Sequence, residues 1–178
     1  VTTLIPLTDI NAQAIEDLLD IGFGKDRRSR TAYRLREGVS AIPELSFAAV
    51  QGTTLQGIIQ CWPVRLSCLN GQKLPMILLG PVAVHPSYQG QKLGQKLVQH
   101  SLDIADSSEI RGSDAIMLIG DPEYYDRFFG FSADETKGWR LPGPVEQRRL
   151  LARLTSPRLQ NRAGIVEPDV LILSSKKA

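Results

Sequence analysis

The sequence predicts a mixed α/β fold: a mostly antiparallel central sheet with one bulged strand, flanked by helices. Three observations carry this. Runs at 44–51, 55–66 and 73–84 are β-prone and are separated by the turn signals Gln51-Gly52-Thr53-Thr54 and Asn70-Gly71, the pattern of an antiparallel meander. The third run contains Gly80-Pro81. Proline cannot donate to a sheet ladder, so it marks a bulge or an edge. A short Gly/Gln/Lys turn then opens directly into an amphipathic helix, followed by the apolar run 114–119. After a helical crossover that run is expected to lie parallel to the strand before it.

Length and composition set the bounds. The chain has 178 residues, with 42% hydrophobic and 22% charged, as in a globular protein with a real core. A formal charge of +2 gives no reason to expect nucleic acid or an acidic membrane as partner. No apolar run approaches the ~20 residues of a bilayer span, and the first residues lack the basic-then-apolar pattern of a secretory signal. Cys61 and Cys68 are too few and too close for a disulfide scaffold, and read as reduced thiols in a cytoplasmic protein. With His85 and His100 the only histidines and no metal-ligand spacing, no metal site is expected.

Taken in order, residues 2–7 are β-prone. A helix is expected from about Ile10, capped by Thr8 or Asp9, with Ile10, Ala14, Ile15, Leu18 and Leu19 on one face and Gly22 and Gly24 ending it. Lys25, Arg27, Arg28, Arg30, Arg34 and Arg36 then crowd a segment whose only acids are Asp26 and Glu37. It reads as a second helix from about Ser29, with Ala32, Tyr33 and Leu35 partly inward. Its charges form either a solvated face or a basic wall near an anionic ligand. In the helix after the turn, Leu93, Leu97, Val98, Leu102 and Ala105 make an apolar stripe that stops near Ser107-Ser108. Gly120-Asp121-Pro122 starts a short helix over 123–128, leading into Gly130-Phe131. Segments 139–141 and 148–154 are expected as closing strands, and 156–177 as a packed tail or an edge strand. One domain over 1–154 is expected, with 155–178 as an extension packed on it.

The chemistry centres on the stretch from Met76 to His100. Backbone N–H groups at a helix start, reinforced by the helix dipole, form an anion site. A strand that bulges at Gly80 leaves the main-chain groups of Val82, Ala83 and Val84 to meet a ligand. No G-x-x-x-x-G-K-[ST] motif exists, so a P-loop is excluded as a motif. The turn is not G-x-G-x-x-G, and antiparallel strands precede it, which argues against a Rossmann unit.

With these residues in place, the chain resembles a Gcn5-related N-acetyltransferase, and within that superfamily its bacterial YhbS-like branch. The likeness is carried by GPVAVHPSYQGQKLGQKL (80–97), AIMLIGDPEYY (115–125) and the pair Gly130-Phe131, with AYRLRE (32–37) and RLPGP (140–144) pointing to the branch. The superfamily turn reads Q/R-x-x-G-x-G/A. Here Gln89 and Gly94 supply its ends, and Lys92 stands where glycine is expected. Tyr125 precedes Gly130 by one residue more than the common pattern, so Tyr124 and Tyr125 are not separated by the motif.

The resemblance implies acetyl-CoA as cosubstrate and no metal. The backbone of Gln89, Gly90, Gln91, Lys92, Leu93, Gly94 and Gln95 would hold its pyrophosphate. Val82 and Val84 would hydrogen-bond the pantetheine like an added strand, and an amide within Val82, Ala83 and Val84 would polarise the thioester carbonyl. Tyr125 would protonate the leaving thiolate. Glu44, His85 and Asp121 are distant candidates for the base that the acceptor needs, with His85 read as structural. The acceptor would be a primary amine of a small molecule or a protein, taken by a monomer or homodimer. The alternatives are a longer-chain acyltransferase using acyl-CoA or an acyl carrier protein, or a CoA-binding module that regulates without turnover.

Overall fold

The computed structural model describes residues 1–170. Its strands are β1 (Thr3–Pro6), β2 (Phe47–Gln51), β3 (Thr54–Cys68), β4 (Lys73–Val84), β5 (Ala115–Ile119), β6 (Trp139–Arg140), β7 (Leu150–Leu154) and β8 (Gly164–Pro168). The helices are α1 (Ala12–Phe23), α2 (Thr31–Arg34), α3 (Leu93–Asp106) and α4 (Pro122–Phe129). The hydrogen-bonded order of the sheet is β1-β2-β3-β4-β5-β7, with β8 joined to β3 and β6. β1–β2, β2–β3, β3–β8 and β5–β7 are antiparallel, whereas β4–β5 and β6–β8 are parallel. This is the mixed, mostly antiparallel sheet that the turn signals and the crossover required.

The chain divides into two compact units, and β3 and β4 each contribute residues to both. The first contains Val1–Ser29, Ala41–Cys61 and Leu79–Ser108. Its core includes Leu7, Leu18, Leu19, Ala48, Ile58 and Ala83. Burying a leucine or isoleucine of this kind contributes roughly 1.5–3 kcal/mol. The cap of α1 is Asn11, whose side chain accepts from the amides of Gln13 and Ala14, rather than Thr8 or Asp9. Those two lie in a separate 3₁₀ turn, Leu7–Asp9, which delays the helix. Ile10 and Ile15 then fall at the positions flanking the cap and both pack on the core, a hydrophobic staple. Gly22 stays inside the helix, and Gly24, at φ +88°, ends it.

Much of the basic run is tied down internally. Arg27 is 1% exposed and is held by Asp20 at 2.9 Å and by Glu16. Glu16 also takes Arg28 at 2.6 Å. The expected long helix from Ser29 is instead a 3₁₀ turn at Arg27–Ser29 followed by the four-residue α2.

In α3 the buried residues are Leu93, Leu97, Val98, Ser101, Leu102 and Ala105, the expected stripe with one serine in it. That hydroxyl donates to the Leu45 carbonyl at 3.0 Å. Cys61 is fully buried beside Ser101 and the Gly80 backbone, and burial pushes its thiol up to about 12. Gly57 is a place where only glycine fits well. A Cβ there would meet the Ala83 oxygen at 3.0 Å, Leu97 Cδ1 at 3.3 Å and Val84 Cγ2 at 3.4 Å.

The second unit contains Arg30–Ser40, Trp62–Leu78 and the chain from Glu109 onward. Its core gathers Leu35, Val64, Leu66, Met76, Leu78, Met117, Trp139 and Leu150 among others. Arg158 grips Asp114 with Nε at 2.9 Å and Nη2 at 2.6 Å, and Ser156 adds a bond at 2.6 Å. Hydrogen bonding from Arg158 holds the Asp114 carboxyl down at about 2. Within the stretch expected as a tail or edge strand, β8 is the strand. It pairs with Val64–Cys68 of β3, and the remainder beyond Val170 lies outside the described residues. No described helix is long and apolar enough to cross a membrane.

Candidate functional site

Two strand-to-helix junctions carry the residues that the sequence singled out, one in each unit. The first runs from β4 into α3. The registered pairing of β4 with β5 ends at Leu78, and Gly80 follows at φ +119°, a conformation that favours glycine. Past it, the His85 N–H donates to the Gln56 carbonyl at 2.8 Å, which turns that edge of the strand toward β3. Because alternate residues of a strand present their main-chain groups to opposite edges, Ala83 faces β3 like His85. The Ala83 oxygen would lie 3.0 Å from a Cβ at Gly57 of β3, which agrees. Val82 and Val84 present their main-chain groups to the other edge.

The turn lies against these two valines. A Cβ on Gly94 would sit 3.7 Å from Val84 Cγ2 and 3.8 Å from Val82 Cγ1. Gln89, Gly90, Gln91 and Lys92 are exposed, Gly94 and Gln95 are partly exposed, and Leu93 is buried as an anchor. Gly90 takes φ +85°. Lys92 takes φ +60° and ψ 24°, the left-handed region. It thus adopts the backbone shape that glycine provides in the superfamily turn, although such a shape costs an L-residue roughly 1–2 kcal/mol.

Lys92 is also the N-cap of α3, and its carbonyl accepts from Lys96 at 3.0 Å. Its side chain makes no capping hydrogen bond among the described residues. The first amides of a helix have no acceptor inside the helix. Here they are left without a side-chain cap, in an exposed turn whose N-cap residue is a lysine. A helix start of this kind is suited to an anion.

The second junction runs from β5 into α4. Asp121 caps α4, accepting from the Glu123 amide at 3.1 Å, and Pro122 fills the first turn. Hydrogen bonding with Glu123 lowers the Asp121 carboxyl. The far end closes through Gly130 at φ +74°, whose amide donates to the Asp126 carbonyl at 3.0 Å in an αL closure, with the Phe131 amide reaching back to the Tyr125 carbonyl at 3.2 Å. The extra residue before Gly130 is thus absorbed in a regular eight-residue helix.

The two tyrosines now separate. Tyr125 packs against Gly120, where a Cβ would come 2.7 Å from its Cε2, and its ring lies 6.0 Å from Phe129 and 6.1 Å from Phe131. Burial, then the neighbouring Tyr124 and Asp121, push its hydroxyl up to about 12. Tyr124 stands edge-on to Tyr125 at 5.0 Å and faces Phe128 at 5.1 Å. The lack of a Cβ at Gly120 is what lets the Tyr125 ring lie this close to the end of β5.

The candidate bases fare unequally. His85 accepts the Ser87 amide on Nδ1 at 3.1 Å, as a turn cap. Asp121 is the cap of α4. Glu44, exposed in the 3₁₀ turn Pro43–Leu45, carries neither commitment. No cluster of three or more histidine, cysteine, aspartate or glutamate side chains suited to a metal occurs among the described residues.

A mixed sheet whose β4 leaves its parallel partner, and whose next helix starts without a side-chain cap beside that strand, is an α/β arrangement suited to an anionic ligand. The chain belongs to the acetyltransferase (GNAT) family, whose domain matches residues 3–132. It is 31% identical over 159 residues to the uncharacterized N-acetyltransferase YhbS of Escherichia coli K12, covering 89% of this chain and 90% of that protein. The structure of E. coli YhbS in complex with CoA superposes with a TM-score of 0.69 at 25% identity, over 97% of this chain and 91% of that one. A GNAT acetyltransferase from Brucella melitensis in complex with acetyl-CoA shares the fold, with a TM-score of 0.61 at 21% identity, over 97% and 98% of the two chains. The chain is an acetyltransferase.

Proposed function

We propose that this acetyltransferase moves the acetyl group of acetyl-CoA to a primary amine by direct attack in a ternary complex. The observation that carries the reading is the uncapped start of α3 lying against Val82 and Val84. Backbone amides from Gln89 to Gln95 bind the pyrophosphate, and the left-handed Lys92 adds a cation there. Val82 and Val84 pair with the pantetheine through the strand edge turned away from β3. An amide of the Val82–Val84 stretch polarises the thioester carbonyl as negative charge develops on its oxygen.

The amine lone pair attacks the carbonyl carbon, a C–N bond forms, and the C–S bond breaks. The departing thiolate takes a proton from the Tyr125 hydroxyl, and the proton that the nitrogen sheds as the amide forms restores the phenol, directly or through water. A phenol held at about 12 is fully protonated near neutrality and so is ready to donate. The attacking amine must first be neutral. Because an alkyl ammonium has a pKa near ~10.4, its proton goes to a base or to water. Holding both reactants together supplies much of the acceleration. The acceptor is a small molecule or a protein amine. The free thiols Cys61 and Cys68 suit a reducing cytoplasm.

The test is incubation with acetyl-CoA and a panel of amines, following free thiol release and the acetylated product together. Thiol release that depends on the amine, with equal amounts of product, is expected. Folded protein that binds acetyl-CoA yet acetylates no amine overturns the reading.

A further inference from the structure

Acetyl-CoA is one covalent ligand, so the two halves of its site must keep a fixed separation. The edge at Val82 and Val84 and the turn from Gln89 both lie in the first unit, and residues 85–88 join them along the chain. That link holds the 3₁₀ turn Pro86–Tyr88, with His85 at its N-cap. A single turn has little cooperativity of its own, so whatever holds its ends decides its shape.

His85 holds it by three hydrogen bonds. Its N–H donates to the Gln56 carbonyl at 2.8 Å, and its carbonyl accepts from the Tyr88 N–H at 2.9 Å. Nδ1 of its ring accepts from the Ser87 N–H at 3.1 Å. The anchor at Gln56 is firm, because that residue is 1% exposed. Its side chain accepts from the Thr2 hydroxyl at 2.7 Å and donates to Gln51 at 3.0 Å, tying β3 to β2 and to the first residues of the chain. On the other side, Gln89 donates its N–H to the Pro86 carbonyl at 3.4 Å. The turn that His85 caps therefore sets where Gln89, the first residue of the anion turn, begins.

The bond to Ser87 also fixes what the ring can do. A neutral imidazole has one N–H and one accepting nitrogen. With Nδ1 accepting, the proton is on Nε2. The lone pair that a base would use is already engaged by Ser87, and a proton taken from an amine would break the cap.

We propose that His85 is a positioning residue for acetyl-CoA: as the Nε2–H tautomer it caps the 3₁₀ turn and holds the pyrophosphate turn in register with the pantetheine edge. The proposal rests on the cofactor reading above and assigns His85 to binding rather than to proton transfer. Its contribution is preorganisation of the site, which lowers the cost of ordering it around the ligand.

The test replaces the two ring nitrogens separately. Asparagine places Oδ1 as many bonds from the backbone as Nδ1, whereas glutamine reaches the Nε2 position and leaves that of Nδ1 empty. His85→Asn should bind acetyl-CoA within about twofold of the parent in calorimetry. His85→Gln and His85→Ala should raise the Kd about fivefold, which converts to ~1 kcal/mol, the usual worth of a side-chain cap. With acetyl-CoA saturating, kcat should stay within about twofold in all three. Thermal melts establish folding, and one measurement needs no variant. NMR that resolves the imidazole nitrogens of the parent, at mildly alkaline pH, should show the His85 proton on Nε2.

A proton on Nδ1 overturns the proposal, as does an asparagine variant that binds as weakly as alanine. A glutamine variant that binds like the parent, or a loss of kcat in His85→Asn with the Kd unchanged, does the same. Gly90→Val separates this failure from that of the cofactor reading. If it weakens binding while His85→Gln does not, the role of His85 alone falls. If it binds as tightly as the parent, or the parent binds no acetyl-CoA, both fall.

Discussion

The two strand-to-helix junctions solve one problem in opposite ways. At β5–α4 the helix start is satisfied from within: Asp121 takes the first amide, Pro122 removes another donor, and Gly120 clears room for Tyr125. At β4–α3 nothing of the kind occurs, because Lys92 caps with its backbone alone and the turn stays exposed. A helix start that closes on itself can position a side chain. One left open can receive a ligand. The difference is written in single residues, aspartate in one N-cap position and a left-handed lysine in the other.

Substitutions can break that contrast, and the largest effect is expected at Tyr125. Tyr125→Phe should lower kcat by about 10²–10⁴, the usual worth of a general acid, with the acetyl-CoA Kd unchanged in calorimetry. The pH behaviour follows from the raised hydroxyl. A folded pKa of about 12 against an unfolded value near ~10 means that the native state holds its proton longer. Its contribution to stability is therefore complete below pH ~10 and is lost as pH climbs toward the folded value. No alkaline limb of kcat assignable to this tyrosine should appear below that window.

Gly120→Ala comes next. Its Cβ would press on Tyr125 Cε2 at 2.7 Å, and overpacking of this kind costs about 1–3 kcal/mol in urea denaturation. Gly94→Ala at the other junction meets Val84 and Val82 only at 3.7 and 3.8 Å, so stability should stay within about 0.5 kcal/mol. Equal losses at both glycines would erase the distinction between the junctions.

Gly90→Val then tests the open turn. Forcing a β-branched residue to φ +85° should cost roughly 1–2 kcal/mol and raise the acetyl-CoA Kd about tenfold. Affinity within about twofold of the parent would mean that the turn is not the anion site. The smallest effects lie at the caps. Asp121→Ala should lower the Tm by a few degrees, and more gently at acid pH, where the lowered carboxyl is losing its charge. Lys92→Gly should raise stability by up to about 1 kcal/mol as backbone strain is relieved, yet weaken acetyl-CoA binding in low salt.

What was legible in the sequence was what depends on neighbours in the chain. The meander, the α3 stripe and the turn from Gln89 to Gly94 are local patterns of periodicity and turn chemistry. The boundaries missed were those where one short element displaces another, as the 3₁₀ turn at Leu7–Asp9 moved the α1 cap to Asn11. The basic run illustrates the other limit. Whether Arg27 faces water or a buried carboxylate depends on Glu16 and Asp20 one helix earlier. Arg36 stacks on Tyr33 three positions earlier, but its second aromatic neighbour is Trp62, 26 positions away by the numbering and on a different element. In the same way, the different environments of Tyr124 and Tyr125 depend on packing against Gly120, which no motif spacing encodes.

Gly57 bears on how finely the open junction is set. A Cβ there would meet the Ala83 oxygen, Val84 and Leu97 at once, so the glycine is a spacer of minimum thickness behind the strand edge that Val82 and Val84 present. Any thicker residue would act as a shim, shifting the strand and the first turns of α3 by a few tenths of an ångström relative to each other. The spacing of β4 and α3 is therefore set from within β3, at a position away from the edge that Val82 and Val84 present.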